Sequence, residues 1–431
     1  MTAAKITEIA SIRPRHVAAA VVGNALEFYD FTIYAFFAVQ IGNAFFPHHS
    51  AFVKLMLSLA TFGAGFILRP IGAIVIGRFA DRRGRRPAML FSFGLMGLSI
   101  LGVALTPSYA MIGPVAPFLV LLWRLCQGFA LGGEVGPTTA YLVEASPPAK
   151  RGFYGAWQGG SQNLANIAGG LVGVTLATVA GAASLELWGW RAAFLLGAVI
   201  LPFGLLLRRG LPETLDHPDT IDLEPGLHTI RANARTLVLG FGLVAAMTTS
   251  TYVFNFMTTY AMTTLHMAAG ISLGATLVSG SCGLAGGLIG GLMSDRIGRR
   301  ALMIWPRIFF ILVTWPAFFL MVKNHDAVTL LGATAVMTFT SALSTAAGLV
   351  AITESLGKSV RGLGMGAIYA TAVAVFGGTT QPILASLIHF THDPVSPAWY
   401  TIGFTLIGLI ASILMKESAH SLSVRPQMTL A

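Results

Sequence analysis

The sequence predicts an all-α integral membrane protein with twelve transmembrane helices in two pseudo-symmetric six-helix bundles. Three observations predict it. The chain carries too little charge for water, its apolar stretches are long enough to cross a bilayer, and two unrelated polar motifs recur at nearly one period.

Composition sets the solvent. Of the 431 residues, 55% are hydrophobic and 10% charged, where a soluble domain carries about 25% charged residues. A chain of this size with so few charges cannot cover its surface in water, so most of that surface faces lipid. A spanning helix takes roughly 20 apolar residues, so twelve fit with room left for loops and tails. Cys126 and Cys282 both lie in apolar segments and suggest neither a disulfide framework nor a zinc site. The polar stretch through Arg15, followed by a long apolar segment, reads as a retained first helix rather than a cleaved signal peptide.

Apolar segments separated by polar breaks fall at 17–46, 52–76, 87–106, 114–142, 153–180, 190–207, 236–263, 271–293, 301–322, 327–353, 362–390 and 398–415. They are too long for barrel strands and lack the ten-residue alternation of a membrane barrel. With the N-terminus inside, the 27 basic residues all lie on inner segments except six: Lys54, Arg191 and Lys323 fall outside, and Arg69, Arg124 and Arg307 fall within spans. Lysine and arginine mark the cytoplasmic side, so both termini are expected there. The net charge of +10 is then a topology signal and needs no nucleic-acid partner.

The longest inner connection, 208–235, holds Pro212, Pro218 and Pro225 and five acids. It divides the chain into an N-terminal bundle (1–207), a cytoplasmic linker (208–235) and a C-terminal bundle (236–431). The halves repeat. Asp81-Arg82-Arg83-Gly84-Arg85-Arg86 follows the second segment and Asp295-Arg296-Ile297-Gly298-Arg299-Arg300 the eighth, 214 positions on. Glu144 precedes Arg151-Gly152 as Glu354 precedes Arg361-Gly362, 210 positions on. Topology explains the arginines of these motifs but not Asp81, Glu144, Asp295 and Glu354. Partly solvated ion pairs are individually weak. Several together can latch the inner helix ends and still release them, Asp81 and Glu144 with Arg85 and Arg151, and Asp295, Arg299, Glu354 and Arg361 as the mirrored latch.

Charges inside the membrane are functional by default. The spans hold Glu27, Asp30 and Glu134, and Arg69, Arg124 and Arg307. Arg307, near an inner helix end, is expected to snorkel, which leaves the charged chemistry in the first half. Asn24, Glu27, Asp30, Phe31 and Tyr34 share one face of the first helix at three- and four-residue spacing. Glu27 and Arg124 both lie near the midplane, where pairing is possible. Arg124 is a permanent cation. Burial favours a protonated carboxyl while a nearby arginine favours the carboxylate, and such opposed effects suit reversible protonation. Gln158, Gln162 and Asn166 make a stripe at four-residue spacing, and Thr248-Thr249-Ser250-Thr251 opens the seventh span.

Gly77-Arg78-Phe79-Ala80-Asp81-Arg82-Arg83-Gly84-Arg85-Arg86 resembles the loop signature of the major facilitator superfamily, and Arg124-Leu125-Cys126-Gln127-Gly128 its fourth-helix motif. Gly23-Asn24-Ala25-Leu26-Glu27-Phe28-Tyr29-Asp30-Phe31 and Leu68-Arg69-Pro70-Ile71-Gly72-Ala73 are similar to its metabolite–proton symporter branch. Phe153-Tyr154, Trp157-Gln158, Ser161-Gln162 and Phe376-Gly377-Gly378 with Pro382 look like the citrate–proton symporters within it. The resemblance implies the major facilitator fold, a bacterial inner-membrane location, a monomeric carrier in lipid, and proton-coupled symport of a small organic anion. Citrate or a related di- or tricarboxylate is the expected cargo. Betaine or proline as cargo, and sodium as coupling ion, are the alternatives.

On this reading Arg124, Arg69, Asn24, Gln158, Gln162, Asn163 and Tyr369 bind cargo, and Glu27, Asp30 and Glu134 carry or gate the proton. No cofactor or metal is expected. A membrane enzyme would show a metal-ligand or nucleophile motif, a receptor would append a soluble domain, and a channel needs no latches.

Overall fold

The computed structural model describes residues 14–83, 85–132, 142, 146–198, 227–357 and 361–418. Each of the twelve apolar segments holds a helix. In chain order α1 is Pro14–Phe36 continued by Ala38–Phe45, α2 is Ala51–Ile67 continued by Arg69–Arg83, α3 is Arg85–Leu105, α4 is Val115–Leu131 and α5 is Arg151–Val179. Helix α6 runs over 181–198. In the second half α7 is Leu227–Thr263, α8 is Ala269–Ile297, α9 is Arg299–Asn324 and α10 is Ala327–Ser355. Helix α11 comprises Arg361–Ala372, Val373–Gly377 and Gly378–Thr391, and α12 is Ser396–Leu414.

Among the described residues, seven of these helices are long and apolar enough to cross a membrane, in α2 and α7 to α12. The 29-residue α5 is not among them, because the amides at 158, 162, 163 and 166 lower its hydropathy. Starts follow capping chemistry: the Ser50 hydroxyl accepts from Val53 N at α2, and Asp326 accepts from Thr329 N at 2.9 Å at α10. Such caps satisfy backbone donors that a helix start leaves open.

The boundaries differ from expectation in three places. Helix α7 begins at Leu227, inside the stretch assigned to the linker. Helix α6 begins nine residues before its apolar segment, just after Gly181 turns the chain at φ +79°, and passes through a π turn at Leu185–Gly189. A second π turn, Val373–Gly377, interrupts α11.

The two halves meet along α5–α8 and α2–α11, two pairs exchanged by the internal repeat, and along α1–α7. Helix packing in a membrane depends on close approach rather than on the hydrophobic effect, and glycine permits it here. A Cβ at Gly291 would stand 2.5 Å from the Gly152 carbonyl oxygen, and one at Gly280 2.8 Å from Ile167 N, both across α5–α8. Across α2–α11, a Cβ at Gly63 would stand 2.6 Å from the Gly378 carbonyl oxygen. At the end opposite the arginine-rich motifs, Phe52 of α2 stacks on His389 of α11 with ring centroids 3.7 Å apart.

Within the first half, α2 and α4 touch backbone to backbone. A side chain at Gly128 would overlap the Gly65 carbonyl, one at Gly72 the Phe129 carbonyl, and one at Gly132 the Arg69 carbonyl. This seam places Arg69 and Arg124 beside the same part of α1.

Arg307 does not snorkel. It is buried, and its Nη1 donates to the Met303 carbonyl at 2.7 Å and to Ser412 Oγ at 2.8 Å. Gly348 of α10 and Gly408 of α12 leave room for its guanidinium, so the cation is spent on fastening α9 to α12.

Gly128→Ala should lower the melting temperature of the detergent-purified protein, by an overpacking cost of about 1–3 kcal/mol. Gly94→Ala, whose new Cβ would meet nothing within 4 Å, should leave it unchanged. Equal melting of both variants would refute the tight α2–α4 seam.

Candidate functional site

The α2–α4 seam and the polar face of α1 build one buried charge centre. Asp30 is 1% exposed and Arg124 fully buried. The carboxylate Oδ2 lies 3.6 Å from Arg124 Nη1. Gln127, also fully buried, sits between them: its Oε1 accepts from Arg124 Nη1 and its Nε2 donates to Asp30 Oδ2. Gln127 was missed as a site residue in the sequence, although it stands in the fourth-helix motif. The available signal was spacing, since a residue three positions after Arg124 shares its helix face.

Aromatic rings stand in for water around both arginines. The Arg124 guanidinium lies 4.3 Å from the Phe31 ring centre and 4.4 Å from that of Tyr34. Arg69 lies 4.5 Å from Phe31 and 4.1 Å from Phe66. A desolvated cation over a ring gains roughly 2 kcal/mol per contact. That only partly offsets burial, and hydrogen bonds do not complete the set. Among the described residues, Asp30 Oδ1, Arg69 Nε, and Arg124 Nε and Nη2 are buried without a hydrogen-bond partner. A finished structural ion pair would fill such valences, because each open one is costly.

A polar cavity lies beside it, between the halves. Gln162, Asn163 and Asn166 of α5 face Thr248, Thr251, Tyr252 and Asn255 of α7, with Thr338, Ser341 and Thr345 of α10 and Tyr369 of α11. Gln162 Nε2 donates to the Tyr369 hydroxyl at 3.2 Å, spanning the two halves. Tyr252 lines the cavity and packs edge-on against Phe66 and Phe62 at 5.5 and 6.0 Å. One aromatic layer therefore separates the cavity from the arginines.

The expected cargo ligands divide accordingly. Gln162, Asn163 and Tyr369 line the cavity, whereas Arg124 and Arg69 stand behind its wall. No lining residue among those described is charged. Asn24 does not reach the cavity; its Nδ2 donates to Ser161 Oγ at 2.5 Å and fastens α1 to α5. Gln158 is fully buried off the cavity, with neither amide atom partnered among the described residues. The four-residue spacing aligns Gln158 with Gln162 and Asn166, but the cavity is lined by the neighbouring Gly159 and not by Gln158. The side chains of Glu27, Asp81, Arg85 and Arg361, and residues Glu134 and Glu144, lie outside the described residues.

The arginine-rich end carries the second constellation. Asp295 at the end of α8 accepts from Gly152 N at 2.8 Å and Phe153 N at 3.0 Å. Those are open donors at the start of α5, where the helix dipole also favours an anion. Arg299 reaches Asp295 at 2.7 Å and Glu354 at 3.3 Å, and Arg151 reaches Glu354 at 3.8 Å. Glu144, the acid expected beside Arg151, lies outside the described residues; among the described residues Arg151 pairs with Glu354 of the other half. The described latch thus both braces the second half, through Arg299, Asp295 and Glu354, and joins it to the start of α5. Two members were not foreseen. Glu417 accepts from Arg299 N and Arg300 N at 2.9 and 3.0 Å, and the Ser418 hydroxyl donates to Glu354 at 2.9 Å. Nothing in the local sequence separates these two from an ordinary polar tail.

The model of the Major Facilitator Superfamily matches residues 20–289 and 239–428. The chain belongs to the Major Facilitator Superfamily. It is a multi-pass membrane transporter and not an enzyme. Among curated relatives, the citrate-proton symporter of Salmonella typhi is 38% identical over 91% of this chain and 92% of its own. The proline/betaine transporter of Salmonella typhimurium is 31% identical over 94% of this chain and 83% of its own. The xylose transporter XylE of E. coli, in a partially occluded inward open conformation, superposes with a TM-score of 0.70 at 16% identity, covering 93% of this chain and 97% of that one. That last likeness bears on the fold alone, and the twelve helices in two related bundles are the superfamily's architecture.

Asp295→Ala should lengthen the distance between spin labels placed at the arginine-rich ends of α5 and α8, measured by double electron–electron resonance. An unchanged distribution would mean that the Asp295 bonds do not hold the two ends together.

Proposed function

We propose that this carrier takes up citrate, or a related di- or tricarboxylate, together with a proton by alternating access. The observation that carries the reading is the buried Arg124–Gln127–Asp30 chain one aromatic layer from a polar cavity between the halves. The full-length likeness to a citrate-proton symporter supports it. Asp30 holds the proton, with Glu27 and Glu134 as further acids on the path. Arg124 and Arg69 supply positive potential for cargo carboxylates. Gln162, Asn163 and Tyr369 offer amide and hydroxyl bonds to the cargo, with Asn24 and Gln158 supporting α5 behind them. Asp81, Arg85, Glu144 and Arg361 mirror the latch of Asp295, Arg299, Glu354 and Arg151. The two latches alternate with cavity opening, as weak, reversible contacts suit a two-state carrier.

The carrier works as a monomer in lipid, without a cofactor, in a bacterial inner membrane. Its arginine-rich end and both termini face the cytoplasm, as the lysine and arginine bias requires. The coupling ion is the proton rather than sodium. A carboxylate beside a fixed guanidinium, with one oxygen unpartnered, suits a single proton.

Tracer citrate uptake into proteoliposomes should follow an imposed pH gradient, ignore a sodium gradient, and fall under excess tricarballylate but not betaine. Arg124→Lys should lose at least tenfold of this uptake, because an ammonium cannot reproduce the guanidinium fork. Betaine uptake with no citrate uptake would assign the chain to zwitterion transport, a reading its 31% identity to a proline/betaine transporter would then favour.

Cysteines placed near Lys5 and Arg425 should stay unlabelled by a membrane-impermeant maleimide in intact cells and react after permeabilisation. Labelling of either in intact cells would reverse the proposed orientation.

A further inference from the structure

We infer that Gln127 is the residue that passes the protonation state of Asp30 on to Arg124, by reversal of its side-chain amide. This rests on the proton being carried by Asp30, as proposed above.

Donor and acceptor chemistry drives the inference. An ionised aspartate only accepts and a guanidinium only donates. A primary amide between them has one orientation that serves both, with Nε2 toward Asp30 and Oε1 toward Arg124. That is the orientation found. Protonation of Asp30 puts an O–H into this chain. Asp30 Oδ1 has no hydrogen-bond partner among the described residues, and an O–H formed there gains one when the neutral carboxyl rotates to face Gln127 and donates to its Oε1. Accepting it turns the amide over and sets Nε2 against Arg124 Nη1, donor against donor.

Arg124 then loses its amide acceptor and its ionised neighbour together. Its Nε and Nη2 are already unpartnered among the described residues, and only the rings of Phe31, Tyr34 and Phe62 still hold it. Such a cation in a low-dielectric site is ready for an anion arriving past Tyr252. Cargo binding therefore follows proton binding, and cargo release toward higher pH follows deprotonation and return of the amide. No bond other than O–H is made or broken, and the proton comes from solvent.

The groups facing this centre are few. Besides Asp30, α1 presents Tyr29 and Tyr34, α2 presents Arg69, α4 presents Arg124 and α7 presents Tyr252. Neither phenols nor guanidinium groups change charge between pH 5 and 8 under ordinary conditions, so the switch has one titrating member among the described side chains.

The test measures equilibrium binding of radiolabelled citrate to purified full-length protein between pH 5.5 and 8, and citrate accumulation in proteoliposomes under a pH gradient. Wild-type affinity should rise close to tenfold for each unit by which pH falls over part of this range. Gln127→Met keeps the length without the amide. Its affinity should change less than threefold across the whole range, and its accumulation should fall at least tenfold while citrate counterflow persists. Gln127→Glu guards against misfolding of the methionine variant. Two carboxylates there must share a proton, so its binding profile should move to higher pH by at least one unit. A methionine variant with the wild-type pH profile, or a glutamate variant without a shift, would overturn the role of Gln127. Asp30→Asn separates the premises. If Asp30→Asn abolishes the pH dependence while the Gln127 variants behave as wild type, the amide switch alone fails. If Asp30→Asn keeps the wild-type profile, the proton is carried elsewhere and the underlying reading fails with it.

Discussion

Two guanidinium groups removed from water onto one phenyl ring are the constraint to which the first half of this protein answers. An arginine cannot shed its charge, so a fold that buries Arg69 and Arg124 must surround them with something that replaces hydration. Phe31, Phe62, Phe66 and Tyr34 do this with ring faces. The rings can close over both cations only because α2 and α4 approach to backbone contact at Gly65 and Gly128. Asp30 and Gln127 are then held at the positions where their few polar atoms count most. The seam of glycines, the aromatic layer and the charge centre are one arrangement.

The second half is built differently around the same plan. Its buried mid-span arginine, Arg307, is bonded to a carbonyl and a serine hydroxyl and serves packing. Its contribution to the cavity is hydroxyl and amide groups from α7, α10 and α11. The charge centre thus belongs to the first bundle while the cavity draws on both, and Tyr252 of the second lines the cavity and packs on Phe62 and Phe66 of the arginine cage. Relative motion of the bundles would change what the cavity presents without disturbing the hydrogen bonds inside either.

The architecture was legible in the sequence because its signals are periodic or compositional. Apolar runs, the lysine and arginine bias and the doubled Asp-Arg motif all survive averaging over many residues. The face of α1 was legible too, since Asp30, Phe31 and Tyr34 keep helical spacing. What stayed hidden depends on partners distant in sequence. Asn24 and Gln162 look alike as polar residues in a membrane, yet one meets Ser161 and the other Tyr369. Arg307 looked like an end residue because its distance from the motif before it suggested so. Only the gaps at Gly348 and Gly408 on other helices give it a buried seat. Arg151 reaches Glu354 across the halves, which the repeat alone does not reveal.

The segment after α12 has a consequence for biogenesis. Glu417 covers the open start of α9, and Ser418 binds the carboxylate shared by Arg151 and Arg299. These residues leave the ribosome after α1 to α12 have been made. The closed arrangement at the arginine-rich end therefore reaches its full set of bonds only once the last helix has entered the membrane. A nascent or truncated chain stopped just before residue 417 would lack these bonds, leaving the start of α9 and the Glu354 carboxylate with fewer partners.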